Sequence, residues 1–463
     1  MCKKTKKLPK QNNYDGRRGF TIVELLVVIV VIGILAAITI VSYNGIQQRA
    51  NLAALKVDMS SAAKTLELIN TGNGTYPASL LIAALKSSPG TSYQYTYTVS
   101  SNSYCLTGTN NGVAYIASTA NPTPAVGVCP GDIAPGATIN GGNVTTLAGS
   151  GTASFADGPG ASAMFRNPSS VAVDSLGNVY VADYNNNRIR KINSSGAVTT
   201  LAGSGTPSFA DGLGTNAQFS SPSGVAVDSS GTIYVADSNN HRIRKVTSGG
   251  AVTTLAGSGT PSFADGLGTN AMFSYPFGVT VDSSGNVYVA DSGNHRIRKV
   301  TSGGAVTTLA GTGTYGFADG PGASAMFRNP SSVAVDSSGN VYVADSGNNQ
   351  IRKITSAGVV STMAGSGTAS YADGSSTSAM FSNPNGVAVD ASGNVYVADT
   401  SNQRIRKITS SGVVSTLAGS GNANFTDGLG TIAQFYNPYG VTVDVSGTVY
   451  VADYGNARIR KIQ

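Results

Sequence analysis

The sequence predicts a multi-domain chain: a long N-terminal transmembrane α-helix, a small α+β head, and an all-β six-bladed propeller. Three observations predict it. Residues 25–41 read LLVVIVVIGILAAITIV, and with residues 20–23 in front the apolar span is about 22 residues, enough for a helix to cross a bilayer. Apolar side chains then recur at Leu52, Leu55, Met59, Ala62, Leu66 and Ile69, in steps of three and four that mark one helix face. Further on, the tetrapeptide Tyr-Val-Ala-Asp returns six times, ending at Asp183, Asp237, Asp291, Asp345, Asp399 and Asp453, always 54 residues apart. A fixed period of this length signals a repeat architecture.

Charge separates the leader from the rest. The chain of 463 residues carries a formal net charge of +7. Residues 1–19 hold Lys3, Lys4, Lys6, Lys7, Lys10, Arg17 and Arg18 against Asp15 alone, so nearly all of that excess sits there. Basic residues on one flank of an apolar helix keep that flank in the cytoplasm. The basic balance therefore gives no support to nucleic-acid binding, and no nucleic-acid partner is expected.

Residues 20–70 read as one helix, on the order of 75 Å long at ~1.5 Å per residue. Its first half is apolar on every side and its second half needs a domain against one face. Asn70-Thr71-Gly72-Asn73-Gly74 stops it. Residues 71–131 supply the small head, where Tyr93, Tyr95, Tyr97 and Val99 alternate with polar residues and Val113–Ala117 forms a further strand. Cys105 and Cys129 lie in a segment destined for the outside, where an even pair reads as a disulfide, with two buried free thiols as the alternative. Residues 132–143 contain the Gly- and Pro-rich DIAPGATINGG, a linker.

Residues 144–463 hold the repeats. In the second copy the strand-like runs are Gly224–Val227, Ile233–Ala236, Arg242–Val246 and Val252–Leu255, joined by short Gly/Ser/Asn turns. Four antiparallel strands per unit, six times, fits a six-bladed propeller, with a parallel solenoid as the alternative. The array opens with a lone fourth-strand sequence, Val144–Leu147, and closes on a third strand, Arg458–Ile462. Pairing the two completes the last blade and removes open sheet edges.

Two resemblances follow from these residues. The stretch Arg17-Arg18-Gly19-Phe20-Thr21-Ile22-Val23-Glu24, with its basic leader and apolar continuation, resembles the N-terminus of type IV prepilins and pseudopilins. That resemblance implies cleavage between Gly19 and Phe20 by a prepilin peptidase, N-methylation of Phe20, and assembly with other pilin subunits through the helix. A carboxylate inside an apolar run needs a partner. For Glu24 the resemblance implies the new α-amino group of a neighbouring subunit. An uncleaved signal anchor is the alternative. The repeat GVAVDSSGNVYVADSGNxRIRKI resembles the NHL-repeat propellers over residues 144–463, lengthened by an inserted loop of the form Ser-Gly-Thr-x-Ser-Phe-Ala-Asp-Gly.

The ring offers little catalytic material. It contains no glutamate, and its aspartates fall into three positions, Asp157, Asp174, Asp183 and their copies, none unique to one blade. They read as turn residues. His241 and His295, the chain's two histidines, share one turn position and read as polar turn residues. No metal or cofactor is expected, and no catalytic residue is assigned. The basic strands around Arg188, Arg190 and Lys191 read as structural, their stems covering neighbouring blades and their charges pairing with aspartate. The variable loops are more suggestive. Tyr275 and Phe277 in the third copy and Tyr436 and Tyr439 in the sixth, with Arg166 and Arg328 in the first and fourth, suit a sugar polymer or peptide at the channel mouth. Identity of residues 156–175 with 318–337 offers recent duplication as another origin of the arginine pair.

The expected protein is a pilin-like surface protein, a minor pilin in a single-pass membrane state before assembly. It displays the propeller outside the membrane for adhesion or for binding a glycan or surface protein. The alternatives are a secretion pseudopilin contacting cargo and a membrane-tethered lactonase- or lyase-like enzyme.

Overall fold

A computed structural model describes residues 53–70, 92–98, 103–110, 113–118, 121–126 and 142–463. Gly19, Phe20, Glu24, the apolar run of residues 25–41, the linker up to residue 141 and Cys129 lie outside the described residues. The Cys105–Cys129 pairing does too. Among the described residues no helix is long and apolar enough to cross a membrane. The chain divides into two units, Met1–Ile139 and Asn140–Gln463.

In the first unit residues 53–70 are helical and Leu55, Met59, Ala62 and Leu66 are buried, as their spacing requires. A four-stranded antiparallel meander, Ser92–Thr98, Ser103–Asn110, Val113–Ser118 and Asn121–Val126, provides the other layer. The helix lies against its second strand at Gly108. A Cβ there would fall 2.4 Å from the Met59 sulfur, so a larger residue would have to displace the methionine side chain. The fourth strand is not legible in the sequence because it contains Pro122 and Pro124. Proline is tolerated there since an edge strand has N–H groups with no ladder partner.

The second unit is a closed six-bladed propeller. In the first blade the strands are Pro168–Val173, Val179–Asp183, Arg188–Ile192 and Val198–Ala202, paired in that order from the channel outwards. The next four blades repeat this at 54-residue steps, each gaining a two-residue outer strand from its inserted loop, such as Gly212–Leu213 against Ala251–Val252. The sixth blade is built from both ends of the array. Asn143–Ala148 pairs antiparallel with Arg458–Ile462, and Asn143 and Gln463 exchange backbone hydrogen bonds of 2.7 and 3.1 Å. Ring closure therefore follows the expected pairing.

Strand alternation explains how blades stack. On one face of the first blade, Ala172, Tyr180, Ala182, Ile189 and Ala202 pack against Phe219, Val225, Ile233, Val235 and Val246 of the second. The opposite face, with Val171, Val179, Val181 and Ile192, packs against Tyr450, Ala452 and Ile459 of the sixth. Period-two alternation thus sends one set of side chains to each neighbour. The innermost strands line a central channel enclosing about 160 Å³, walled by valine, alanine and small polar residues. Their close approach needs small side chains: a Cβ on Gly224 would lie 2.3 Å from the Phe277 carbonyl oxygen.

Candidate functional site

Each blade is held by a buried arginine. Arg190 is fully buried and bonds two carboxylates with different nitrogens, Asp183 Oδ2 through Nη1 and Asp157 Oδ1 through Nη2, both at 2.6 Å. The same nitrogens donate to the Met164 and Ala156 carbonyls at 3.0 and 2.7 Å. Arg244, Arg298, Arg352, Arg406 and Arg460 repeat this arrangement. Burial pushes the Asp183 carboxyl up, against the pull of Arg190 and of donors from Arg166 and Asn186. The Asp157 position in the inserted loop and the Asp183 position at the end of the second strand are therefore ion-pair partners, which widens the turn reading of the sequence. Asp174 does act as a turn residue. It accepts bonds from Leu176 N, from Asn178 through both nitrogens, and from the Tyr180 hydroxyl. Burial opposes ionisation of Asp174, yet these bonds hold its carboxyl below the usual range. Burial and the Asp174 charge push the Tyr180 phenol up to about 12.

The channel mouth is where the blades differ. Each blade presents two residues there: the one after the proline that opens the inner strand, and the one after Tyr-Val-Ala-Asp. In the second, fourth and fifth blades both are small and polar, and hydroxyl residues at these positions stitch neighbouring blades together. Ser169 Oγ donates to the Ser223 carbonyl at 2.9 Å, Ser223 Oγ to the Phe277 carbonyl at 2.8 Å, and Thr400 Oγ1 to the Pro438 carbonyl at 2.7 Å. In the third and sixth blades the first position is aromatic, Phe277 and Tyr439. Their rings meet with centroids 6.1 Å apart. Tyr454 stacks on Tyr439 at 4.7 Å, with planes inclined by 25°. Burial, with the nearby Tyr184 phenol, raises the Tyr439 hydroxyl above its ordinary pKa, and burial with Tyr439 and Tyr184 does the same to Tyr454.

The structure thus joins two of the sequence-predicted residues, Phe277 and Tyr439, and separates the rest. Tyr275 is exposed with left-handed backbone, its ring edge-on to His241 at 4.7 Å. Tyr436 is exposed beside Gly455. Arg166 is exposed, and its backbone N–H donates to Asp183. The Arg328 guanidinium lies over the Tyr315 ring at 4.5 Å. Tyr184, Tyr454 and Tyr315 escaped the sequence reading. Their signal was available: tyrosine where sister copies have Ser, Thr, Ala or Pro. His241 and His295 cap the turn after the second strand with left-handed backbone, and each Nδ1 accepts a backbone N–H from the next blade, Tyr275 N at 3.2 Å and Asn329 N at 3.3 Å. Among the described residues no three His, Cys, Asp or Glu side chains are grouped to hold a metal ion.

Comparison with known proteins fits both halves. Residues 15–40 match the prokaryotic N-terminal methylation motif. Over 106 residues, in its N-terminal part, the chain is 35% identical to the type IV wide pilus major component PilA4 of Thermus thermophilus. The match covers 22% of this chain and 81% of that protein. The chain belongs to the type IV pilins. Unlike a pilin of ordinary size, it continues into NHL repeats, matched at residues 165–192, 219–246, 273–300, 327–354, 381–408 and 435–462. The chain is also 35% identical over 149 residues to SUPPRESSOR OF QUENCHING 1 of Arabidopsis thaliana and 36% identical over 151 residues to human NHL repeat-containing protein 2. Each match covers 29% of this chain, but this pilin spans only 14% and 21% of those relatives' lengths. A structure of unknown function from Bacteroides thetaiotaomicron superposes with a TM-score of 0.54 at 24% identity, over 77% of this chain and 84% of that one, which shows the shared fold.

Proposed function

We propose that this pilin is a minor subunit, cut between Gly19 and Phe20 by a prepilin peptidase and methylated at Phe20. It carries its propeller outside the membrane as a binding module for adhesion. The observation that carries the reading is the methylation motif at residues 15–40 in one chain with a closed propeller. The Phe277–Tyr439–Tyr454 cluster at the channel mouth is the assigned contact surface, suited to the apolar face of a sugar or to a peptide side chain. Binding is favoured over catalysis because all three classes of ring aspartate are engaged in arginine pairs or turns, blade after blade.

Intact mass and N-terminal sequencing of the protein from its native membrane, with and without the prepilin peptidase, tests the processing. A chain beginning at methylated Phe20 is expected, and an uncut chain would reduce residues 1–43 to an anchor. Glycan- and peptide-array binding by the wild type and by the Phe277→Ser/Tyr439→Ser variant tests the mouth. The variant is expected to lose the signal, and equal binding would move the contact elsewhere.

A further inference from the structure

One blade lacks a cation that its five sisters possess. At the first position of the third strand stand Arg188, Arg242, Arg296, Arg404 and Arg458, but Gln350 in the fourth blade. In the five sisters the guanidinium stacks on an aromatic ring of the inserted loop, its central carbon 3.7–3.8 Å from the centroid. Its Nη2 donates at 2.5–2.9 Å to the second carbonyl after the fourth strand, that of Ser204 in the first blade. Its Nη1 donates to the last carbonyl of the preceding turn, that of Asn186.

The fourth blade keeps this receptor without its occupant. Gln350 is 7% exposed and too short to reach either equivalent carbonyl. Its Nε2 instead donates to the Gly365 carbonyl at 3.0 Å. That carbonyl can only accept, so the amide oxygen is the atom turned away from it. Gln350 Oε1 is buried with no hydrogen-bond partner. No side chain among the described residues donates to the carbonyls of Asn348 or Ser366. Beside Gln350 and Ser366 lies a cavity of about 280 Å³, lined also by Thr362, Met363, Ser376 and Thr377. Phe317, the ring of this loop, has only Arg352 over it, at 4.6 Å. It is 51% exposed, against 40–41% for Phe155, Phe209 and Phe263.

We propose that this slot binds a guanidinium group supplied by another molecule, either the side chain of an arginine in a partner polypeptide or a free alkylguanidine. Gln350 and Ser366 both line the cavity, and Gln350 carries an orphaned oxygen whose burial costs stability until a donor reaches it. A planar, weakly hydrated cation that donates in a fork and stacks on a ring matches this set, and an ammonium does not. The sister blades supply the bound geometry. The site is separate from the channel mouth and stands whether or not the mouth binds a ligand.

The test is thermal unfolding and calorimetric titration of the full-length protein with methylguanidinium chloride, at millimolar concentration and constant ionic strength, against methylammonium chloride. Methylguanidinium is expected to raise the wild-type midpoint and to bind with millimolar affinity, an order expected for so small a ligand, whereas methylammonium does neither. Gln350→Arg, which restores the sister sequence and fills the slot from within, is expected to fold and to lose the effect. Phe317→Ala is expected to weaken binding several-fold. A wild type indifferent to methylguanidinium, or a response retained by both variants, overturns the proposal. An acetylated, amidated arginine tripeptide binding more tightly than methylguanidinium assigns the slot to a polypeptide side chain, and equal affinities assign it to free guanidines.

Discussion

Phe277 and Tyr439 meet over the channel mouth, ring centroids 6.1 Å apart, although they come from the third and sixth blades. Every other blade places a serine or asparagine at this position, so the contact is an asymmetry laid on a six-fold frame. It caps a channel otherwise lined by small and β-branched side chains.

Replacing Phe277 with serine should be close to neutral for stability. Loss of a half-buried ring costs on the order of 1–2 kcal/mol. A serine there gains the hydroxyl bond to the next blade's carbonyl that Ser223 makes, worth about 1 kcal/mol. Uncovering the mouth should bring the raised pKa of Tyr439 back towards the ordinary tyrosine value, since burial is its main cause. Spectrophotometric titration of tyrosinate absorbance checks this. An unchanged titration curve would mean that Phe277 does not shield Tyr439.

The two aspartates on Arg190 should differ sharply. Asp183 is fully buried, whereas the Asp157 side chain is 41% exposed. Asp183→Ala leaves a buried cation half-compensated and should cost about 3–5 kcal/mol. Asp157→Ala lets water replace the lost carboxylate and should cost about 1 kcal/mol. Urea unfolding of the two variants decides it, and equal losses would show that burial is not the controlling factor.

Repetition made the ring legible in sequence. The 54-residue period gave blade number, the four main strands of each blade and closure, because every local signal was printed six times; the two-residue outer strand had no such signal of its own. Side-chain direction in a strand has period two, so the core faces could be read as well. Pairing of the basic strands with aspartate could be read too; what escaped was which aspartates pair with which arginine, and that the guanidinium is buried. Asp157 and Arg190 are far apart in sequence, and nothing local in the Phe-Ala-Asp-Gly loop says that its carboxylate reaches a buried guanidinium. Tyr184 and Tyr454 were hidden for the opposite reason. They stand beside the invariant Tyr-Val-Ala-Asp, in a turn where substitutions look unimportant until the ring brings them to one mouth. Likewise Gln350 is an inconspicuous exchange until five sister arginines define the slot it leaves open.

Ala457→Asn should stabilise the ring. At five junctions the residue ending the turn after the second strand accepts the backbone N–H of the next blade, as Asn187 accepts Ser221 N at 2.9 Å and Asn349 accepts Asn383 N at 2.9 Å. At the junction of the sixth and first blades that residue is Ala457, which has no acceptor and holds a left-handed φ of 51°. Asparagine tolerates that conformation better and offers the missing bond to Asn167 N, together worth about 1–2 kcal/mol. The thermal midpoint should rise by a few degrees. No rise would mean that Asn167, which donates to the Tyr454 carbonyl, already secures the junction.

Mild acid should loosen the junctions either side of the third blade. The Nδ1 atoms of His241 and His295 accept backbone N–H groups, which requires a lone pair and hence a neutral ring at that nitrogen. Burial, then the charge of Arg242, lowers the His241 pKa. Burial, then Arg296, lowers that of His295, partly offset by its hydrogen bond to Ser292. A folded-state pKa below the unfolded value of about 6.5 means that the unfolded chain binds protons first as pH falls. The histidine contribution is therefore complete above about pH 6.5 and is lost as pH drops through that value towards the lower folded-state pKa. Asparagine performs the same acceptor role at position 187 without titrating, so the His241→Asn/His295→Asn variant should show a smaller drop in thermal midpoint between about pH 8 and about pH 5 than the wild type. Parallel pH profiles for the two proteins would show that the loss of stability in acid originates at other groups.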